Sequence, residues 1–177
     1  MTGSPSGDQP LSLRPVTLGD VALYERMRCD PAMMAELGGP LPREGIPGKV
    51  ARDVADVETH GAWIFIVEVD GTPVGHVCIW EHDEDGERIN EIGWMVLPEF
   101  QGRGLGRDAA RAILDKARRE HRFDVVHAFP GATNAPSNAI CRALGFERLE
   151  DKDIEFQGRP LRANHWRIDL RPVEPSG

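Results

Sequence analysis

Short apolar runs, the first of which alternates with polar residues, predict β-strands in the first half of the chain. Asp70-Gly71 separates two of these runs and is typical of a tight hairpin turn, and a polar segment at 83–86 separates the next two. Because short turns join neighbouring antiparallel strands, the three later runs are predicted to pair in sequence. The four runs cover residues 11–16, 63–69, 74–81 and 89–96.

Other segments repeat their apolar residues with the spacing of a helix. Thr17 and Pro31 are residue types that commonly begin helices, and Gly145 is the type that commonly ends one. The predicted helices cover residues 17–29, 31–37, 50–60, 105–121 and 134–144. A further strand is predicted at 124–129, and a final hairpin is predicted to pair 146–156 with 159–170.

The two ends of the chain differ in composition from its middle. Residues 1–10 are mostly Gly, Ser, Pro and polar residues, and we predict that they form a disordered tail and that residues 171–177 form a second tail. Residues 11–170 are predicted to form one domain, because no internal repeat and no linker interrupts them. The longest irregular segment within this domain is 38–48.

The stretch 91–108 joins a strand to a helix through a glycine-rich loop. Pro98 ends the strand, because proline has no N–H to contribute to a ladder. Gly102, Gly104 and Gly106 allow a tight turn and let a ligand approach the main chain closely. The first turn of a helix leaves N–H groups unpaired and carries the positive end of the helix dipole, so a phosphate group is a natural ligand there.

Three phosphate-binding patterns share this order of strand, loop and helix, and the residues present exclude two of them. A P-loop requires a lysine after its last glycine, and this loop contains none. A Rossmann turn that starts at Gly102 requires a third glycine at position 107, where the chain has Arg107. The pattern Q-x-x-G-x-G fits, through Gln101, Gly104 and Gly106.

Two motifs in this order resemble the GNAT superfamily of acetyl-CoA-dependent N-acetyltransferases. The first is the Q-x-x-G-x-G loop, which matches the pyrophosphate loop of that family. The second is Asn134 and Ser137 followed by Leu144-Gly145-Phe146, which is similar to a helix and strand further along the family's chain. Segments 13–15 and 91–94 resemble the branch that includes ribosomal-protein N-terminal acetyltransferases and small-molecule acetyltransferases.

The resemblance implies an α/β (α+β) GNAT fold, in which helices flank a mixed, mostly antiparallel sheet of six to seven strands. The strands before the two motif helices diverge in this family, which gives a V-shaped split between the central strands. Acetyl-CoA would lie in that split, and the main chain at Met95 or Val96 would bind its pantetheine arm and the acetyl carbonyl oxygen. The other implied donor contacts are Gln101, Gly102, Arg103, Gly104, Leu105, Gly106, Arg107, Asn134 and Ser137.

The resemblance also implies a general base at Glu91, a few residues before the acetyl position. A buried carboxylate has a raised pKa, which suits it to accept a proton from an amine near neutral pH. Asn90 would face the pocket instead if the strand contained a bulge, and Glu81 and His82 are alternatives on the preceding strand. A structural salt bridge is the non-catalytic interpretation of Glu91.

Many family members protonate the leaving thiolate with a tyrosine, and this chain departs from that pattern. The corresponding position is Cys141, and the one tyrosine of the chain is Tyr24. Ser137 and Cys141 are therefore the candidates for a general acid, and departure of the thiolate without an acid is a third interpretation. Helix capping by Asn134 and Ser137, and simple packing of Cys141, are the non-catalytic alternatives.

Composition narrows the classes of function that fit the chain. The net charge of −8 disfavours a nucleic-acid groove, which needs a basic face, and no apolar run is long enough to cross a membrane. Three cysteines without paired spacing fit reduced thiols in the cytoplasm, and the first residues lack the pattern of a signal peptide. The six histidines show no spacing typical of metal ligands, so no metal is expected.

The expected function is transfer of an acetyl group from acetyl-CoA to a primary amine of a small molecule, by direct attack in a ternary complex. An acidic protein suits a cationic amine, and segment 38–48 is expected to line the acceptor pocket, as the corresponding loop does in the family. One alternative is a ribosomal-protein-type N-terminal acetyltransferase, and another is a non-catalytic acyl-CoA-binding module. Many family members are homodimers, and the sequence leaves that state open.

Overall fold

The computed structural model describes residues 10–156 and 158–173. Its centre is a seven-stranded sheet with the order β1-β2-β3-β4-β5-β9-β6, and β7 and β8 form a separate two-stranded sheet. The three central strands predicted to pair in sequence do so, as β2, β3 and β4. The strands are β1 (Leu11–Pro15), β2 (Trp63–Val69), β3 (Thr72–Glu84), β4 (Glu87–Val96), β5 (Val125–Ala128), β6 (Glu147–Arg148), β7 (Lys152–Phe156), β8 (Arg159–Ala163) and β9 (Trp166–Asp169).

Four α-helices cover the two faces of the main sheet. They are α1 (Val21–Arg28), α2 (Ile46–Thr59), α3 (Leu105–Glu120) and α4 (Ala135–Ala143). Helix α2 begins four residues before the predicted start, because Pro47 lies in its first turn, where a missing N–H costs nothing. The Pro-Gly pair at 47–48, which the sequence analysis assigned to a loop, is therefore helical.

Each face of the sheet contributes to its own hydrophobic core. On one face, Val77, Ile79, Ile92 and Val126 of the sheet pack with α3 and α4, for example against Ile113. On the other face, Ile64, Cys78 and Met95 pack with α1 and α2, for example against Met27 and Val50. Because side chains alternate along a strand, neighbouring residues of β3 and β4 belong to different cores. We call the second face the α1/α2 face.

The two central strands β4 and β5 are parallel and diverge almost at once. Glu91 and His127 are the only residues of β4 and β5 that pair with each other within the described parts of the chain. The next five residues of β4, from Ile92 to Val96, have their ladder partners on β3 alone. This divergence opens one side of the β4 main chain, as the predicted V-shaped split requires.

Two predicted elements are wrong. Residues 31–37 form a turn and a short 3-10 helix at Ala35–Leu37, which Gly38 ends with a left-handed φ of 85°, instead of one helix beginning at Pro31. The final hairpin is shorter than predicted, because β7 pairs with β8 while β9 lies between β5 and β6. Alternation predicts that a segment is a strand but does not determine its partner.

The structure does not describe residues 1–9, 157 and 174–177, so most of the two predicted tails lies outside it. Gln157 of the predicted turn is also outside it. The main sheet extends from Leu11 in β1 to Asp169 in β9. The domain boundaries at 11 and 170 stay predictions.

Candidate active site

The glycine loop connects β4 to α3 at the open end of the split. Gly102 and Gly104 have φ values of 76° and 78°, in the left-handed region that glycine adopts without strain. Gly104 is the N-cap of α3 and offers no side chain to its first N–H groups. A Cβ on Gly106 would lie 3.3 Å from Ile140 Cδ1 and 3.6 Å from Trp94 Cδ1, so glycine lets α3 pack closely here.

Side chains of the loop support its shape or lie at its surface. Gln101 Nε2 donates to the Val96 carbonyl oxygen at 2.8 Å, which fixes the loop to the end of β4. Arg103 donates to the Glu99 carbonyl oxygen and lies over the Phe100 ring. Arg107 is exposed and contacts Asp108, whereas Leu105 is buried in the α3/α4 core. The loop therefore offers unpaired N–H groups and two nearby guanidinium groups to an anion.

Helix α4 begins beside the same end of the split. Asn134 caps it, since its Oδ1 accepts from the Ser137 N–H at 3.2 Å. The buried Asn138 donates to the Gly131 and Asn134 carbonyl oxygens and accepts from Trp166 Nε1 at 2.8 Å. Asn138 therefore joins α4, the preceding loop and β9, a role that the sequence analysis missed. Direct contact of Asn134 and Ser137 with a donor stays a prediction.

The β4 ladder distinguishes the two candidate main-chain donors. Leu97 N–H donates to the Val74 carbonyl oxygen at 2.8 Å, so this pair is hydrogen-bonded. Hydrogen-bonded and non-hydrogen-bonded pairs alternate in an antiparallel ladder. Met95 therefore forms its bonds with β3, whereas the Val96 N–H points away from β3 and into the split. A Cβ on Gly75, opposite Val96, would lie 2.1 Å from the Met95 carbonyl oxygen.

Glu91 lies on the α1/α2 face and contacts a histidine. Its Oε2 is 2.7 Å from His82 Nε2, and the two side chains are 19% and 29% exposed. Burial raises the pKa of Glu91, an effect that the contact with His82 opposes. The same hydrogen bond raises the pKa of His82. The structure thus brings together two of the candidate bases, whereas Glu81 points to the opposite face and pairs with Arg88.

The two candidate acids lie in different environments. Cys141 is fully buried in the α3/α4 core, and burial raises the pKa of its thiol to about 12. This environment favours the packing interpretation of Cys141, and its role as an acid is untested. Ser137 is only partly buried, in the first turn of α4. Its hydroxyl is therefore the better placed of the two candidates.

A polar cluster beneath α1 and α2 was not assigned from the sequence. Arg28 Nη2 lies 3.4 Å from His76 Nε2, and the Tyr24 hydroxyl donates to Asp53 at 2.7 Å. Burial, together with the positive charges of Arg28 and Lys49, holds the pKa of His76 well below its usual value. His76 is the ladder partner of Met95, so this cluster lies next to the part of β4 where the split opens.

Two kinds of feature, a metal site and a membrane-spanning helix, are absent from residues 10–156 and 158–173. These residues contain no group of three or more His, Cys, Asp and Glu side chains that could hold a metal ion. They also contain no helix that is both long and apolar enough to cross a membrane.

Comparison with known proteins identifies the family. The model of the acetyltransferase (GNAT) domain matches residues 11–147, more than half of the chain. The chain is 31% identical over 75 residues to the uncharacterized N-acetyltransferase YnaD of Bacillus subtilis. That match covers 42% of this chain and 43% of the relative, so the chain spans less than half of the relative's length.

Solved structures share the fold at low sequence identity. An acetyltransferase from Salmonella typhimurium that modifies the N-terminal serine of ribosomal protein L7/L12 has a TM-score of 0.76 and 17% identity, covering 93% of this chain and 97% of its own. The putative acetyltransferase yncA from Salmonella typhimurium, solved with acetyl-CoA, has a TM-score of 0.71 and 23% identity, covering 90% and 94%. The predicted fold class is confirmed, and the chain belongs to the GNAT acetyltransferase family.

Proposed function

We propose that the protein transfers the acetyl group of acetyl-CoA to a primary amine of a small molecule. The observation that carries this proposal is the single β4–β5 pair, which leaves the Val96 N–H facing an open split. The N–H groups of the first turn of α3 would hold the pyrophosphate, and the loop arginines would add positive charge. Acetyl-CoA would supply the activated acyl group.

The Val96 N–H is assigned to the acetyl carbonyl oxygen, whose negative charge increases as the amine attacks. A fixed donor that points to this position stabilises the transition state more than the ground state. Because the donor is main chain, any side chain except proline could occupy the position. Gly75 supports it by allowing β3 to approach β4 closely.

Glu91 is assigned to the general base. Met95, next to the acetyl position, is four residues from Glu91, which is about 13 Å along a strand. We therefore expect the amine proton to reach the carboxylate through water. The raised pKa of Glu91 suits the carboxylate for this role, because a base is most effective when its pKa approaches the operating pH.

The loop between α1 and α2 supports a small-molecule acceptor over a chain end. Thr133 Oγ1 donates to Glu36 Oε2 at 2.8 Å, which joins this loop to the segment before α4. Gly38 lies against Arg159 of β8, since a Cβ on this glycine would be 3.4 Å from Arg159 Cδ. The loop thus contacts both the segment that follows β5 and the strand β8, and a closed wall of this kind suits a small acceptor.

The test is thiol release from acetyl-CoA in the presence of a library of amines and short peptides. We expect acceptor-dependent release with small amines, and Glu91→Gln should lower kcat by about 100-fold or more while leaving the Kd of acetyl-CoA unchanged. Glu81→Gln is the matched control on β3, because its carboxylate faces away from the α1/α2 face, and it should keep wild-type turnover.

Two other results would replace the proposal. Release with peptides alone would indicate a chain-end acetyltransferase. Saturable binding of acetyl-CoA without release for any acceptor would indicate a binding module. Wild-type turnover in Glu91→Gln would exclude Glu91 as the base while leaving the acetyl transfer itself intact.

A further inference from the structure

Gly93 lies in the interior of β4, where a glycine weakens a strand and needs a reason. Its φ is outside the left-handed region, so the main chain at this position could carry any ordinary side chain. The space above it explains the glycine, because a Cβ would lie 3.2 Å from Trp80 Cζ3 and 3.4 Å from Trp80 Cη2. We call the space that the missing side chain leaves, and that the Trp80 ring fills, the Gly93 notch.

Two aromatic rings of β3 lean in the same direction across the α1/α2 face. Trp80 is paired with Glu91 in the ladder, but its ring lies over Gly93, two residues further along β4. His82 is paired with Ile89, and its ring reaches Glu91, again two residues further along. Aromatic side chains can span the distance of about 7–8 Å to such diagonal neighbours. The two rings stack, with centroids 6.2 Å apart and planes at 23°.

The lean of Trp80 leaves the space above Glu91 to His82. Trp80 and Glu91 are directly opposite each other, so their Cβ atoms are about 5 Å apart, and a ring standing above its own partner would occupy the space that His82 uses. His82 is held at both ring nitrogens, since Nε2 is 2.7 Å from Glu91 Oε2 and Nδ1 is 3.2 Å from the Asp83 carbonyl oxygen. Room for the His82 ring therefore depends on Trp80 staying in the Gly93 notch.

We propose that Gly93 is a positioning residue for the general base, because it accepts the Trp80 ring and so lets His82 reach Glu91. This inference rests on the proposed function, which gives Glu91 its role, and it extends that function to residues that act on the base through other side chains. A valine at position 93 would fill the notch. The Trp80 ring would then move toward Glu91 or His82, and the contact between those two side chains would be lost.

The first test is the pH profile of kcat/KM for Gly93→Val at saturating acetyl-CoA. Burial raises the pKa of Glu91 and the contact with His82 opposes that effect, so loss of the contact should move the acidic limb to higher pH. We expect kcat/KM to fall by about 3- to 10-fold on that limb and to approach the wild-type value at alkaline pH. Gly93→Ala adds only the Cβ and should show a smaller shift in the same direction, and it carries the test if Gly93→Val does not fold. An acidic limb that coincides with that of wild type in the folded variant would overturn the inference.

A second substitution separates the effect of the ring from an effect on the β4 main chain. Trp80→Leu alone removes the stacking partner of His82 and should change kcat/KM on the acidic limb by less than about threefold. In the Gly93→Val background it removes the ring that valine displaces, so it should restore the acidic limb. Trp63→Leu is the matched control in that background, because Trp63 is a partly buried tryptophan of the opposite core, and it should restore nothing. If Trp80→Leu also restores nothing, valine acts on the main chain and the inference fails.

The variants keep the other ionisable groups of this face unchanged. Glu84 and Cys78 lie on β3, and His127 is the ladder partner of Glu91 on β5. The charged groups that α1 and α2 contribute near Cys78 are Arg28, Lys49 and Asp53. Differences between the profiles therefore report the contact between His82 and Glu91.

Imidazole ¹⁵N NMR measures the same contact without turnover. The His82 signals are assigned by their loss in His82→Leu. The hydrogen bond with Glu91 raises the pKa of His82, so His82 should titrate at lower pH in Glu91→Gln and in Gly93→Val. Addition of Trp80→Leu to Gly93→Val should return the titration toward that of wild type.

The NMR titration separates this inference from the proposed function. A His82 titration that follows this pattern would support the positioning role even if no amine releases thiol, and the acetyl transfer alone would then fail. Thiol release from amines, together with a His82 titration that Gly93→Val leaves unchanged, would support acetyl transfer and overturn the positioning role.

Discussion

The contact between His82 and Glu91 should determine the pH at which the base becomes active. Glu91 must be ionised to accept a proton, and burial works against ionisation by raising its pKa. The hydrogen bond from His82 at 2.7 Å favours the ionised carboxylate and limits that rise. Replacing His82 with leucine removes the hydrogen bond and the charge, and leaves the burial.

The size of the effect follows from the geometry. An oppositely charged, hydrogen-bonded partner lowers a carboxylate pKa by about 1–3 units. Because the two side chains are 19% and 29% exposed, solvent screens part of this interaction. We therefore expect His82→Leu to raise the pKa of Glu91 by about one unit. At pH values well below the wild-type pKa of Glu91, the ionised fraction and the rate should fall about tenfold relative to wild type.

The measurement is the pH profile of kcat/KM for one acceptor at saturating acetyl-CoA. Ionisation of the acceptor amine affects both proteins equally, so the difference between the profiles reports the enzyme. The acidic limb should shift to higher pH in His82→Leu, and the profiles should converge at alkaline pH. His82→Gln is the matched control, because its amide can still donate to the carboxylate, and its shift should be smaller. Coincident acidic limbs, or a shift to lower pH, would refute this account of the pair.

Two further predictions concern the supporting structure. Gly104→Ala and Gly71→Ala each place a Cβ at a φ near +77°, so each should lower the unfolding free energy by about 1 kcal/mol. Only Gly104→Ala should also weaken acetyl-CoA binding, as measured by calorimetry. Asn138→Leu leaves the buried Trp166 indole N–H without its partner, whereas the Gly131 and Asn134 carbonyl oxygens each keep a main-chain donor, so denaturant titration should show a loss of about 1–3 kcal/mol. Neutral surface substitutions usually change the unfolding free energy by no more than about 0.5 kcal/mol. A change within that range for Asn138→Leu would contradict the second prediction.

The conformation of the glycine loop was largely predictable, because its requirements act on residue type. A left-handed turn selects glycine at 102 and 104, and close packing of α3 selects it at 106. Tight turns and alternating strands are also local, which is why β2, β3 and β4 were paired correctly. Sequence spacing could not show that β9 inserts between β5 and β6, because that pairing joins segments far apart in the chain.

The polar contacts on the α1/α2 face were mostly not predictable, since their groups meet only in the folded chain. Arg28 and His76 are 48 residues apart in sequence and come from a helix and a strand. His82 and Glu91 are joined across a hairpin, and each was considered as a base without the other. The absence of partners for buried atoms is a property of packing and has no counterpart in a sequence motif.

The alternation of β4 would allow one strand to serve both of the proposed substrates. The side chains of Glu91 and Met95 point to the α1/α2 face, and the main chain of Glu91, Gly93 and Met95 forms hydrogen bonds with β3. Trp94 and Val96 direct their side chains to the other core and their N–H groups to the split. The acceptor is therefore expected to meet side chains, and the donor main chain, on the same few residues. A slip of one residue in the β4 register would exchange the two sets and remove both functions while leaving the strand apolar enough to fold.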